Sequence, residues 1–173
     1  MVWSLDYFPP QEPEYLDRFF LSVGKSLYLA SEFELKCQQF LNILKIATHF
    51  KKTKNASACM ELAKALKDKL LGPALKELKG FPGFTSMDIA KLERAKDARN
   101  FIAHESANIG ALSFATEGII SERIVRLRTA LSALVTGDNL ISAWMYEICE
   151  KEHAPHGIHS EYPEWVSRWV FGD

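Results

Sequence analysis

Seven residues in the first third of the chain decide what kind of fold is available. Ala30, Phe33, Cys37, Phe40, Leu41, Leu44 and Ala47 follow one another at steps of mostly three and four. That rhythm lines one stripe of a helix, whereas a strand would scatter the same residues over both of its faces. The same rhythm recurs down the chain. Leu16, Phe19, Phe20 and Val23 precede it; Ile89, Leu92, Ala95, Ala98 and Ile102 follow; Ile120, Ile124, Leu127, Leu131 and Leu134 come later. No stretch alternates apolar and polar residues as a half-buried strand does, and no internal repeat or low-complexity tract interrupts the pattern. The chain therefore reads as all-α: an up-and-down helical bundle of four to five main helices with short connections.

The boundaries come from local chemistry. Pro9, Pro10 and Pro13 make 1–13 an extended N-terminal segment. Gly24 predicts a break or kink between a first helix and a longer one over about 25–50. A helix over about 57–71 is expected to bury Met60, Ala63, Leu66 and Leu70, and Pro73 opens a short helix with Leu75 and Leu78 inward. GFPGF, 80–84, is a turn. Thr85 with Asp88 three residues on forms a capping box, and Phe84 is placed to staple onto Ile89. The small, polar stretch 106–118 reads as connection. Thr136-Gly137-Asp138 reads as a stop that caps a further helix, whose core face is Leu140, Ile141, Trp144, Met145 and Ile148. A tail, 152–173, docks by Trp165 and Trp169, four residues apart.

Length and charge narrow the class. A chain of 173 residues buries roughly 70% of its unfolded surface, so one domain over 1–173 is expected. The three cysteines, Cys37, Cys59 and Cys149, form no CxxC pair; an odd, unpaired set points to a reducing compartment. The N-terminus lacks the basic region of a signal peptide, and no apolar run is long enough to span a bilayer. The expectation is a soluble, cytoplasmic protein with no membrane partner. A net charge of −1 argues against a general, tight nucleic-acid binder but leaves room for a local basic site.

One stretch carries chemistry. ARNFIAHE, residues 98–105, places Arg99, Asn100 and His104 together on the C-terminal half of a helix. Asn100 and His104 are four apart and share a face. Arg99 is five before His104, about 140° away on an ideal helix. The two meet if the arginine reaches round, or if a second copy of the helix packs alongside. A two-fold dimer places two such sets along one groove. The alternative is a solvated helix end, with Arg99 in an ion pair and His104 closing the helix as a favourable cation.

The arrangement resembles the HEPN superfamily, all-α bundles that carry an Arg-x4–6-His motif on a late helix, often with a polar residue after the arginine. Arg99-Asn100-Phe101-Ile102-Ala103-His104 matches the four-residue form. The resemblance implies a HEPN-like, metal-independent endoribonuclease acting as a homodimer, in a toxin or defence role. In it Arg99 holds the phosphate, His104 transfers the proton and Asn100 supports them, with RNA as substrate and no cofactor or metal. The alternative within the same resemblance is a non-catalytic HEPN-like nucleotide/RNA-binding or dimerisation module. One subgroup of the family has a tyrosine two residues after the histidine, the target of a partner nucleotidyltransferase. Here that position is Ser106, so a nucleotidyltransferase antitoxin is not supported. Glu105, beside the histidine, repels phosphate but also raises an imidazole pKa.

Other features are weaker. Arg123 and Arg126 share a helix face and extend a phosphate track from the motif, or else form a solvated face with Arg128. Glu32 and Glu34 interrupt an apolar stretch and either is able to orient Arg99 or His104. His153, His156 and His159 are spaced for zinc, but Pro155 and Gly157 break the helix that would align them, so no metal is expected. Cys149 is expected to be a buried, inert thiol.

Overall fold

A glycine and a Thr-Gly-Asp triplet, both punctuation by local rules, lie inside uninterrupted helices. In the computed structural model the described residues are 14–66, 69–109 and 116–172, excluding the side chains at 156 and 158. They form six helices and no strand: α1 (Glu14–Thr53), α2 (Ala56–Ala65), α3 (Leu71–Leu78), α4 (Ser86–His104), α5 (Glu117–Glu150) and α6 (His156–Phe171). The N-terminal segment, 1–13, lies outside the described residues, as does the middle of the connection, 110–115. No described helix is long and apolar enough to cross a membrane.

α1 is a single helix of 40 residues, about 60 Å long. Its buried positions include Leu16, Phe19, Val23, Ser26, Ala30, Phe33, Cys37 and Phe40, stepping three and four without a change of phase. The stripe passes Gly24 on the opposite, exposed side, so burial on either side of the glycine outweighs its poor helix propensity. α5 repeats the lesson. Ile120, Leu127, Leu131, Leu134, Asp138 and Ile141 are all buried, and the helix runs straight through the expected stop at Thr136-Gly137-Asp138. Gly137 is there for space: a methyl group at that position overlaps the Ala95 Cβ of α4 and meets the Phe33 ring at 3.4 Å. Asp138 caps nothing. It accepts from Lys36 Nζ on α1 at 2.6 Å and from the Tyr162 hydroxyl on α6 at 2.6 Å.

The side-chain pairs give the directions. Glu34 meets Arg99 and Phe40 meets Phe84, so α1 and α4 are antiparallel. Lys36 meets Asp138 and Phe40 stacks on Trp144 at 5.8 Å, so α1 and α5 are parallel. Asp138 meets Tyr162 and Arg128 meets Phe171, so α6 is antiparallel to α5 and returns along α1, where Ser22 donates to the Val170 carbonyl. The four long helices thus alternate up and down around Phe19, Phe33, Phe40, Leu127, Leu134 and Ile141.

Local signals hold where the chain is locally determined. Thr85 and Asp88 form the reciprocal capping box of α4. Phe84 packs its ring on Trp144 at 4.5 Å, in the bundle. Docking directions differ from expectation in two places. α2 faces inward with Cys59, and Met60 and Leu70 are exposed; the apolar rows 59/62/66 and 60/63/66 differ by one residue, and contact with α1 selects the first. The tail is a full helix seated by Val166 and Val170, while Trp165 and Trp169 are half exposed. Trp169 still meets α1, with Lys25 Nζ 5.3 Å from its ring centre. At the far end of α5, Ile148 and Cys149 are exposed because the last turn projects past its neighbours.

The two glycines predict opposite responses to alanine. Gly24→Ala adds a methyl group into open space and is expected to stabilise by about 0.4–1 kcal/mol. Gly137→Ala has the same propensity gain but overpacks α4 against α5, for a net loss of about 1–2 kcal/mol. Thermal denaturation of the two variants reads the signs directly; a stabilised Gly137→Ala contradicts the close approach.

Candidate functional site

The capping box starts α4 at Ser86, which puts Arg99, Asn100 and His104 in its C-terminal half, with His104 as the last helical residue. The buried row Leu92, Ala95, Ala98 and Ile102 faces the bundle. Arg99 stands at the edge of that row and turns toward α1. Its Nη2 donates to Glu34 Oε2 in an ion pair whose side chains are 24% and 14% exposed. Glu34 Oε1 accepts from the Leu71 N–H at 3.0 Å, at the start of α3. One carboxylate thus holds the arginine and ties α3 to α1. Of the two candidate acids, Glu34 qualifies by phase: it is four after Ala30 and three before Cys37, both buried, whereas Glu32 is exposed.

Asn100 and His104 point into solvent. Arg99 Nη1 reaches Asn100 Oδ1 at 3.4 Å, a long and weak contact. The imidazole of His104 has no hydrogen-bond or ion-pair partner among the described residues. Arg99 and Asn100 are therefore together, and His104 shares the outer face with Asn100. The structure does not join Arg99 to His104 within one chain. The arginine sits on the α1 flank of α4, and the histidine lies about 140° round the helix. Chemically the set offers a clamped guanidinium with several N–H donors left over, and a solvent-facing imidazole. Ser106 is buried and donates to the Ile102 carbonyl at 2.6 Å. Its side chain faces the core.

On the other flank of α4, an open groove of about 390 Å³ runs along α5. Arg126 lies in it, its guanidinium 5.0 Å from the Phe101 ring centre. Arg94 lines the same groove and, with Lys91, an adjoining pocket of about 240 Å³. Arg126 lies beside the motif helix, while Arg123 is half-buried and does not line the groove. Arg128 turns away to the Phe171 ring of α6, at 4.0 Å. Lys91 and Arg94 were legible only as cations three apart on α4; nothing local marks them as facing a groove.

The remaining candidates disperse. His153 Nδ1 meets Glu147 at 3.1 Å, and His159 Nδ1 meets Asn139 Oδ1 at 2.8 Å. No group of three metal-ligating side chains gathers among the described residues, and the side chain at 156 is outside them. Cys149 is exposed rather than buried. Cys37 is the inert thiol: burial first, then the nearby Asp138 charge, pushes its pKa well above the ordinary thiol value. Comparison with known family models, curated proteins and solved structures finds no match to this chain.

Proposed function

We propose that the chain is a HEPN-like, metal-independent endoribonuclease that works as a homodimer. The observation that carries the reading is a solvent-facing His104 beside Asn100 at the end of α4, with no hydrogen-bond or ion-pair partner among the described residues. RNA supplies its own nucleophile. A neutral His104 takes the proton of a 2′-OH as that oxygen attacks the adjacent phosphorus, or a protonated His104 gives a proton to the departing 5′-oxygen. Arg99 uses the donors that Glu34 leaves free to hold nonbridging oxygens. Products carry a 2′,3′-cyclic phosphate and a 5′-hydroxyl. A second copy of α4 across a two-fold axis brings one chain's histidine to the other's arginine, which the separation within a single chain requires. The exposed face of His104 and Asn100 is open for that approach.

A second reading is favoured by the Arg99–Glu34 pair itself. An arginine already neutralised by a half-buried carboxylate is what the solvated helix end called for, and it also suits a non-catalytic HEPN-like nucleotide/RNA-binding or dimerisation module. The experiment that separates them is RNA cleavage by the purified chain in EDTA, with the product ends identified by their sensitivity to phosphatases. Cleavage leaving cyclic phosphates, reduced about 10²–10³-fold in Arg99→Lys, supports the enzyme. A chain that dimerises and binds RNA yet never cleaves it supports the module.

A further inference from the structure

The structure assigns a second element to this site: the groove between α4 and α5 is a track for single-stranded RNA, with Arg126 laid on Phe101 as the platform for one base. The inference rests on the functional reading above and adds where the strand lies. Lys91, Arg94 and Arg126 present three cations along the two connected pockets, and none has an ion pair among the described residues. Among the described lining residues the one carboxylate is Asp97, which has Lys96 Nζ at 3.6 Å. The cationic groove is therefore a local exception in a chain of net charge −1. From Lys91 to Phe101 the track covers about 15 Å of helix. Arg126 is exposed over Phe101, so the stack offers a flat, solvent-facing surface, and every base has a π-face to match it. His104 lies three residues beyond Phe101, about 60° further toward solvent. A strand whose base rests on the platform passes its next phosphodiester along the histidine side of α4.

The opposite wall decides between RNA and an acidic amphipathic helix. Thr129, Ser132 and Thr136 line the Lys91 half of the groove. Their hydroxyl oxygens accept from base amino groups, whereas an apolar helix anchor placed there finds polar atoms. Most of the apolar surface lies in the other half, around Phe101, Val125 and Ala130. That is one base-sized patch instead of the extended row a helix needs.

The test is equilibrium binding of a short, fluorescent 2′-O-methyl RNA, which lacks the nucleophile and cannot be cut, to the full chain. Arg126→Ala is expected to weaken binding by roughly 5- to 100-fold, and Arg94→Ala to lower the slope of log K against log salt by about 0.7. Arg168→Ala on α6, exposed and paired with Glu164, is expected to change neither. An oligonucleotide with one abasic position should lose affinity for the wild type but not for Arg126→Ala. Equal affinity of Arg126→Ala and Arg94→Ala to the wild type overturns the track, as does an equal loss in Arg168→Ala. Binding of an acidic helical peptide that depends on Arg126, where RNA binding does not, overturns it in favour of a protein partner. The two readings fail separately. His104-dependent cleavage at unchanged KM in the groove variants removes the track and leaves the enzyme; groove-dependent binding without cleavage removes the enzyme and leaves the track.

Discussion

His104→Ala is expected to lower RNA cleavage by about 10²–10⁴-fold, the usual contribution of a positioned acid or base, while leaving the fold intact. The second half of that statement is what makes the first informative. The imidazole is exposed and makes no hydrogen bond or ion pair among the described residues. Its loss therefore removes at most the favourable placement of a cation at the end of α4, about 0.3–1 kcal/mol when protonated. Cleavage rate and thermal midpoint measured on one preparation give the comparison. Arg99→Ala lacks this clarity, because it strands Glu34 at 14% exposure and so lowers stability as well as activity. A His104→Ala protein that cuts RNA at the wild-type rate ends the proton-transfer role.

Asp138→Ala is expected to destabilise the fold by about 3 kcal/mol, a large loss for one polar side chain. Its side chain is 9% exposed and joins three helices: it belongs to α5, takes Lys36 from α1 and takes the Tyr162 hydroxyl from α6. Lys36 also donates to Ser142 at 2.9 Å. Removing the carboxylate leaves a lysine and a phenol half-buried without their acceptor. Lys36 keeps partial access to water, at 28% exposure, which holds the loss to the lower end of the range for a broken buried pair. Chemical denaturation of the variant measures it, and a change below about 1 kcal/mol would place the pair with ordinary surface salt bridges. The same cluster predicts weakness in alkali. Burial first, then the Asp138 charge, raises the Tyr162 pKa above its ordinary value of 10. The unfolded chain then loses its phenolic proton before the folded one. The contribution is complete below pH 10 and declines as the pH rises beyond it, and Tyr162→Phe should remove that decline.

Asp138 also marks the limit of what local signals reveal. Within Thr136-Gly137-Asp138 each residue is a turn or cap former, and together they imitate a helix stop. Yet the apolar row resumes in phase on the far side, with Leu134, Asp138 and Ile141 stepping four and three. The phase was the better guide, as it was across Gly24. It records which face meets the bundle, and that constraint acts over the whole length of a helix. The candidate site divides in the same manner. The motif and its place on α4 were legible, because a capping box fixes where the helix begins. That Arg99 turns to Glu34, that Arg126 lies on Phe101 and that Arg128 goes elsewhere were not, because each depends on a helix distant in sequence.

By itself, then, the amino-acid order determined the all-helical class, the inward stripes of α1, α4 and α5 and the position of Arg99, Asn100 and His104 along α4. These follow from 3.6 residues per turn and from caps made within four residues. Only the tertiary structure decided that neither Gly24 nor Gly137 interrupts its helix, which row of α2 faces inward, that valines seat α6, and which partner each arginine finds. Those choices turn on contacts between segments far apart in the chain, where a missing methyl group at Gly137 or a carboxylate at Glu34 and Asp138 has meaning only once the opposing helix is in place.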